Sequence, residues 1–281
     1  MISIVIPLYN KGAAVRKTIN SVLSQDYGDI EVIVVNDGST DNSVEVVNSI
    51  HDPRVTVIEQ ENGGPSKARN TGIKHAKGEW LVTLDADDEL IEHALLKMVK
   101  ETEKYKDADI IDFVGYSRCG TILTRRPHPL EGRVKNPMKE LYYRQISPAC
   151  GHAIIRMSFA KKHLYDERLR RFEDYEIELR MLPEAILYSS QEETEIHNVD
   201  YAEASNARKD IMEDFMGHLD LSKGGFWYKM NVFRTFLEER NNYNDVSRKM
   251  YPNLYRRYDL LLIHKILLFL NRINKKFYKY D

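Results

Sequence analysis

"WLVTLDADDEL", residues 80–90, is the stretch on which the fold turns. Trp80 to Leu84 is apolar or β-favouring and reads as a strand built for burial. Asp85, Asp87 and Asp88 then follow within four positions. Like charges this close repel, and if buried they need a counter-ion or must take up protons. A positive group therefore belongs at the end of this strand. The same pattern of a buried run followed by polar residues recurs upstream, at 2–8 (ISIVIPL), 30–36 (IEVIVVN) and 55–59 (VTVIE). Between these runs, apolar residues spaced three or four apart predict helices over 13–24, 42–50, 65–76 and 89–105. This βαβαβαβ rhythm predicts an α/β fold, a mostly parallel sheet with helices on both faces.

Open sheets of this kind bind ligands at the carboxyl ends of their strands. Those ends supply Tyr9 and Asn10, then Asp37 with Gly38, then Asn62 with Gly63 and Gly64, then Asp85 with Asp87. Each alone also fits a turn former or a cap, as Asp41 or Asn42 in "NDGSTDNS" illustrates. Further along, strands are predicted at 109–116 (DIIDFVGY) and within 151–157 (GHAIIRM), and helices near 158–164 and over 173–182. Past residue 206 the chain reads as helical, aromatic and basic.

Composition narrows the function. The 281 residues are 42% hydrophobic and 30% charged, and 41 basic side chains against 43 acidic exert no overall pull toward nucleic acid. Cys119 and Cys150 allow at most one bridge and fit a reducing compartment. "MISIVIPLYN" lacks a basic n-region and a cleavage site, so it reads as a first strand, not a signal peptide. The longest apolar run, "LLLIHKILLFL" at 260–270, is too short to span a membrane and carries His264 and Lys265 in its middle. The expected location is cytoplasmic, with a peripheral place on the inner face of the membrane as an option.

Five segments, "ISIVIPLYN", "VIVVNDGSTD", "GGPSKARNTGI", "WLVTLDADD" and "FEDYEIELR", together resemble family 2 of the inverting, nucleotide-sugar-dependent glycosyltransferases, which have the GT-A fold. The resemblance covers residues 1–205. It implies a nucleotide-binding half, 1–105, an acceptor half, 106–205, and a helical C-terminal extension, 206–281. Asp85 and Asp87 match the family's Asp-x-Asp motif, which holds Mg²⁺ or Mn²⁺ against the donor's two phosphates. Hard oxygen ligands suit such a cation, and a departing diphosphate calls for an electrophile. Asp87 is the expected direct ligand and Asp85 the expected ribose contact. Asp88 is expected to cap a helix starting near Glu89, where a negative side chain complements the helix dipole.

Pro7, Tyr9 and Asp37 fall in the implied nucleotide pocket. An aromatic face such as Tyr9 stacks on a flat base, a carboxylate such as Asp37 accepts from base or ribose, and Pro7 is expected to shape the turn. In "GGPSKARNTG", Lys67 and Arg69 stand two apart and cannot share one helix face. Arg69 matches the family's basic position near the donor; Lys67 is expected to be solvated and Asn70 to pack on the sheet. Glu173 and Asp174 match the family's acidic pair, with Asp174 as catalytic base and Glu173 as its orienting or capping neighbour. Inversion requires a base opposite the leaving group to take the acceptor's proton. Arg180, at the trailing basic position, and His197, on a late strand, are further candidates.

The end of the chain adds a second theme. Nine Lys and Arg stand against two Asp over 248–281, interleaved with Tyr251, Tyr255, Tyr258 and Phe269. Such a segment fits an amphipathic helix on an anionic lipid surface, and equally a helix packed on the core or in a homodimer.

The reading is thus a metal-dependent inverting transferase. It moves a sugar from a nucleotide-diphospho-sugar, a UDP-sugar first among them, to a hydroxyl of a bacterial cell-surface glycan or lipid-linked precursor. A sugar-nucleotide nucleotidyltransferase is the main rival, but it needs a Gly-rich basic loop after the first strand, where "PLYNKGAAVRK" supplies only Gly12. A non-catalytic glycan-binding relative is a third class, and the intact acidic motifs speak against it. A processive synthase is disfavoured because no transmembrane segments follow the catalytic region.

Overall fold

A computed structural model describes residues 1–126, 129–148, 151–199 and 210–277. The first half runs β1 (Ile2–Leu8), α1 (Val15–Leu23), β2 (Ile30–Asp37), α2 (Ser43–Asn48), β3 (Val55–Gln60), α3 (Pro65–His75), β4 (Trp80–Thr83), β5 (Glu89–Leu90) and α4 (Ala94–Lys104). The second half continues with β6 (Ile110–Cys119), β7 (Ile122–Arg125), β8 (Gly132–Arg133), α5 (Pro137–Tyr142), β9 (Ala153–Arg156), α6 (Met157–Ala160), α7 (Glu173–Met181) and β10 (Leu187–Asn198). Two long helices follow, α8 (Phe226–Met250) and α9 (Tyr258–Phe277).

Among the described residues the strands form one sheet, in the order β3-β2-β1-β4-β9-β6-β10-β5, with β7 on β6 and β8 on β10. β3, β2, β1 and β4 are mutually parallel, as the alternation with helices demands. β9 runs antiparallel between β4 and β6 and so joins the second half to the first without a break in the ladder.

Side chains of opposite parity along each strand enter two cores. Ile2, Ile4, Ile6 and Leu8 face one way with Val32 and Val34, toward Val15 and Ile19 of α1, Val47 of α2 and Leu95 of α4. Val5, Ile33, Val35 and Leu81 face the other way, toward Ala68 and Ile73 of α3, then α5 to α9. Each of these fully buried aliphatic side chains contributes roughly 1.5–3 kcal/mol. The C-terminal helices belong to this second core through Met230, Phe233, Phe236 and Leu260.

One expected boundary is corrected. The helix predicted from Glu89 begins at Ala94, because Glu89 and Leu90 pair antiparallel with Ile196 and Glu195 of β10, and Ile91 N–H donates to Thr194 O at 3.0 Å. His93, with φ 63°, makes the break into the helix. Asp88 therefore caps no helix. Cys119 is exposed and free, and Cys150 lies outside the described residues.

Candidate active site

Parallel register sets the ends of β1, β2 and β4 side by side, pairing Leu8 with Asn36 and Val5 with Thr83. Beyond β1 the chain turns at Asn10, whose φ is 50° and whose Oδ1 accepts from Thr40 N–H at 2.8 Å. Tyr9, beside this turn, is 43% exposed, as an aromatic face must be if it is to stack on a ligand ring. Pro7 is inside β1 in register with Val35, so it does not shape the turn as expected. Asp37 is buried. It accepts from Gln60 Nε2 at 2.7 Å and from the N–H groups of Gly63 and Gly64 at 2.8 Å each, and thereby folds the loop into α3. That loop needs glycine at 64, where φ is +90°.

Helix α3 lies close against β1, since a Cβ on Gly72 would stand 2.3 Å from Val5 Cγ1. This close approach carries Arg69 to the ends of the strands. Its Nη2 donates to Asp85 Oδ1 at 2.8 Å and its Nη1 to Glu173 Oε1 at 2.9 Å, while Asp174 Oδ1 lies 3.5 Å from Nη1. The guanidinium also stands over the Tyr165 ring, 5.3 Å from its centroid. Burial works against its charge, but the Asp174, Asp85 and Glu173 carboxylates outweigh burial and raise its pKa well above the ordinary value. Arg69 is one of the positive groups that the strand-end acids require.

The same helix positions α7. Ser66 Oγ donates to Leu169 O at 2.8 Å, and Asn70 bonds both the carbonyl and the N–H of Tyr165. Asn70 thus fastens the 165–169 segment to α3, a role the sequence reading did not assign to it. Phe172, in the left-handed region at φ 56°, then turns the chain so that Glu173 and Asp174 open α7. Two carboxylates in a first turn are favoured by the helix dipole and by exposed N–H groups. Arg180 is engaged elsewhere, with Glu176 at 2.6 and 2.9 Å and with Leu164 O at 2.7 Å.

The second positive group is Lys11, whose Nζ donates to Asp87 Oδ2 at 2.5 Å. Asp88 accepts from Asn198 N–H at 2.8 Å and lies 3.0 Å from His197 Nδ1. Asn198 Nδ2 donates to Asp87 O, which ties the end of β10 to the acidic turn. Burial pushes the Asp88 carboxyl up, against the hydrogen bond from His197, and that bond in turn raises His197.

Carboxylate or imidazole atoms of Asp88, Glu195 and His197 lie within 4.8 Å of one another. A carboxylate on Nδ1 is the arrangement that orients a metal-binding imidazole through its other nitrogen. The groups that converge as possible metal donors are therefore Asp88, Glu195 and His197, while the Asp87 carboxylate is paired with Lys11.

Behind this group, buried Glu195 lies 3.4 Å from His152 Nδ1, and Asp112 lies 3.7 Å from His152 Nε2. Burial pushes the Asp112 carboxyl up to about 7. Burial alone would lower His152, but the nearby Glu195 carboxylate, with Asp112, raises it. His152 also lines a cavity of about 460 Å³ together with Arg126, Gln145, Ser147, Tyr175 and Glu178. Glu178 is one turn beyond Asp174 on α7, so the two carboxylates share a face.

Arg69, Asp85, Glu173 and Asp174 are thus brought together, with Asp87 two residues from Asp85 and His197 beside Asp88. Lys11, Glu195, His152, Asp112 and Glu178 were not singled out from the sequence. Lys11 carried a usable signal, since it follows Tyr9 and Asn10 at a strand end. Asp112 and Glu195 lie inside strands and His152 in the turn before β9, where no motif marks them, and Glu178 lies inside "FEDYEIELR" but was passed over for Glu173 and Asp174.

A model of glycosyl transferase family 2 matches residues 3–168, more than half of the chain. Glycosyltransferase GlyG of Streptococcus pneumoniae is 41% identical over 114 residues, 40% of this chain and 38% of that protein. The uncharacterized glycosyltransferase EpsJ of Bacillus subtilis is 38% identical over 133 residues, 47% of this chain and 38% of that protein. The matches therefore span well under half the length of these two relatives. Among solved structures, residues 1–349 of S. aureus TarS in complex with UDP-GlcNAc superpose with a TM-score of 0.67 at 20% identity, over 89% of this chain and 74% of that one. At that identity the likeness establishes the fold, a GT-A glycosyltransferase architecture.

Proposed function

The chain belongs to glycosyl transferase family 2, and from that premise we propose that it transfers a sugar from a UDP-sugar, with inversion, to a hydroxyl of a cell-surface glycan or lipid-linked precursor. The structure solved with UDP-GlcNAc supports a nucleotide-sugar donor. The observation that carries the reading is the buried Arg69, which joins Asp85 of the donor motif to Glu173 and Asp174.

On this reading Tyr9 stacks on the base, Asp37 and Asp85 bind base and ribose, and Arg69 fixes the distance between the donor and the base. Asp87, with His197, holds a divalent cation, Mn²⁺ or Mg²⁺, which supplies electrophilic stabilisation to the leaving diphosphate. The acceptor enters by the cavity at Glu178, whose amide, hydroxyl and carboxylate lining suits sugar hydroxyls. Asp174 takes the proton of the attacking hydroxyl as the new O–C bond forms at the anomeric carbon, and the old C–O bond breaks with its electron pair leaving on UDP. Glu173, hydrogen-bonded to Arg69, orients the pair. Holding both reactants in line supplies much of the rate.

The test is Asp174→Asn. It should keep UDP-sugar binding, read as a thermal shift in Mn²⁺, and lose transfer by about 10²–10⁴-fold. Full transfer by the variant would remove Asp174 as base, and no thermal shift with any nucleotide sugar would remove the donor assignment.

A further inference from the structure

Helix α9 is amphipathic in a direction the core does not use. Leu260 is buried, His264 Nδ1 lies 2.6 Å from Tyr142 Oη, and Leu261, Ile263 and Leu267 pack against the second core. This face anchors the helix. On the other face Tyr258, Leu262, Ile266, Phe269 and Leu270 are 48 to 74% exposed. Their spacing of three and four merges them into one stripe along the helix. A contiguous apolar stripe of this kind marks an interaction surface.

Charge decides what the surface fits. Lys265 and Arg272 are both exposed and lie four before and three after Phe269, so they flank the stripe. Asp259, in the first turn, is paired with Arg257 at 2.8 and 2.7 Å and leaves both cations uncompensated by it. The whole chain carries a formal charge of −2, so this positive flank is local. A twofold pairing of the stripe with a second copy, crossing near Ile266, brings Lys265 against its own mate. A lipid surface instead places phosphates there.

We propose that this face of α9 binds an anionic membrane surface. The helix lies in the interfacial plane with Leu262, Ile266, Phe269 and Leu270 in the boundary between head groups and acyl chains, and Lys265 and Arg272 on the lipid phosphates. Among the described residues no helix is long and apolar enough to cross a membrane, and interfacial binding needs none. The surface stands independently of the transfer reading and meets it in the acceptor, since a lipid-linked precursor is reached at the membrane.

The experiment is flotation of the full chain with vesicles of phosphatidylglycerol and phosphatidylcholine in equal parts, against phosphatidylcholine alone. Binding is expected on the anionic vesicles and much weaker binding on the neutral ones. Leu262→Ser with Phe269→Ser should lower partitioning about tenfold or more. Lys265→Gln and Arg272→Gln should each lower it about fivefold. Both sets should leave the UDP-sugar thermal shift unchanged, which separates failure of this surface from failure of the transferase reading. No flotation on anionic vesicles, or flotation indifferent to the Leu262 and Phe269 changes, overturns the proposal. So does a dimer, seen by light scattering, that those changes dissolve while vesicles are ignored.

Discussion

Arg69 donates from Nη1 to Glu173 Oε1 at 2.9 Å across 104 positions of sequence, with both residues buried. The bond is a crossing point between the two halves of the chain. Its cation also neutralises Asp85, so removing it strands carboxylates on both sides. Breaking a buried pair by deleting one partner costs about 3–5 kcal/mol, because the charge left behind has no compensation. Arg69→Met should therefore lower stability by about that amount in urea unfolding. Arg69→Lys should cost less in stability, since the charge remains. It should still impair transfer, since one ammonium cannot span Asp85 and Glu173 as a guanidinium does.

Lys11 makes a different kind of pair. It binds Asp87 at 2.5 Å, and both side chains keep some contact with solvent. A cation held by Asp87 must share that carboxylate with the ammonium. Lys11→Gln is expected to tighten Mn²⁺ binding in the absence of nucleotide, by about fivefold at the energy of a partly exposed ion pair. Titration of free Mn²⁺ by electron paramagnetic resonance reads this directly. Unchanged or weaker binding would mean that Lys11 does not compete for Asp87.

Asp88 acts one step further out. It holds His197 by Nδ1, and supporting carboxylates of this sort are worth about 10–100-fold in metal affinity. Asp88→Asn should weaken Mn²⁺ binding about tenfold, and His197→Ala at least as much. If both variants bind Mn²⁺ like the parent chain, the cation is held by other groups.

The first half of the chain was legible because its physics is periodic and local. Parallel strands buried on both faces read as continuous Val and Ile runs, and their polar ends follow immediately in sequence, which is why Tyr9, Asp37 and Asp85 surfaced together. The excess of Asp at 85–88 correctly demanded a cation, but composition could not say which one. Arg69 and Lys11 arrive from separate elements, 16 and 76 positions away. Asp88 was misplaced for a physical reason. Two residues of β5 pairing with β10 displaced the helix start, and a two-residue strand leaves no periodicity to read. Asp112, His152 and Glu195 each sit inside an apolar or alternating run, and only the juxtaposition of β6, β9 and β10 makes them a cluster.

That cluster sets a pH dependence. Asp112 has an ordinary value of 3.8 and is pushed up to about 7 by burial, so between those values the folded chain holds a proton that the unfolded chain has lost. Stability consequently falls as pH rises from about 4 to about 7. His152, raised above its ordinary 6.5 against the effect of burial, acts in the same direction, since its contribution is lost as pH rises through its folded value. Glu195, lowered despite its burial by the neighbouring His152, acts oppositely, but only as pH falls below its ordinary 4.5. Arg126, on the cavity side, favours the charged Asp112 and moderates the effect. Asp112→Asn keeps the shape and removes the buried charge. Its melting temperature should match the parent's near about pH 4, begin to exceed it by about pH 5 and exceed it by several degrees near about pH 8. Parallel curves for the two proteins across that range would show that Asp112 is charged in the fold throughout, with its partners bearing the full cost of burial.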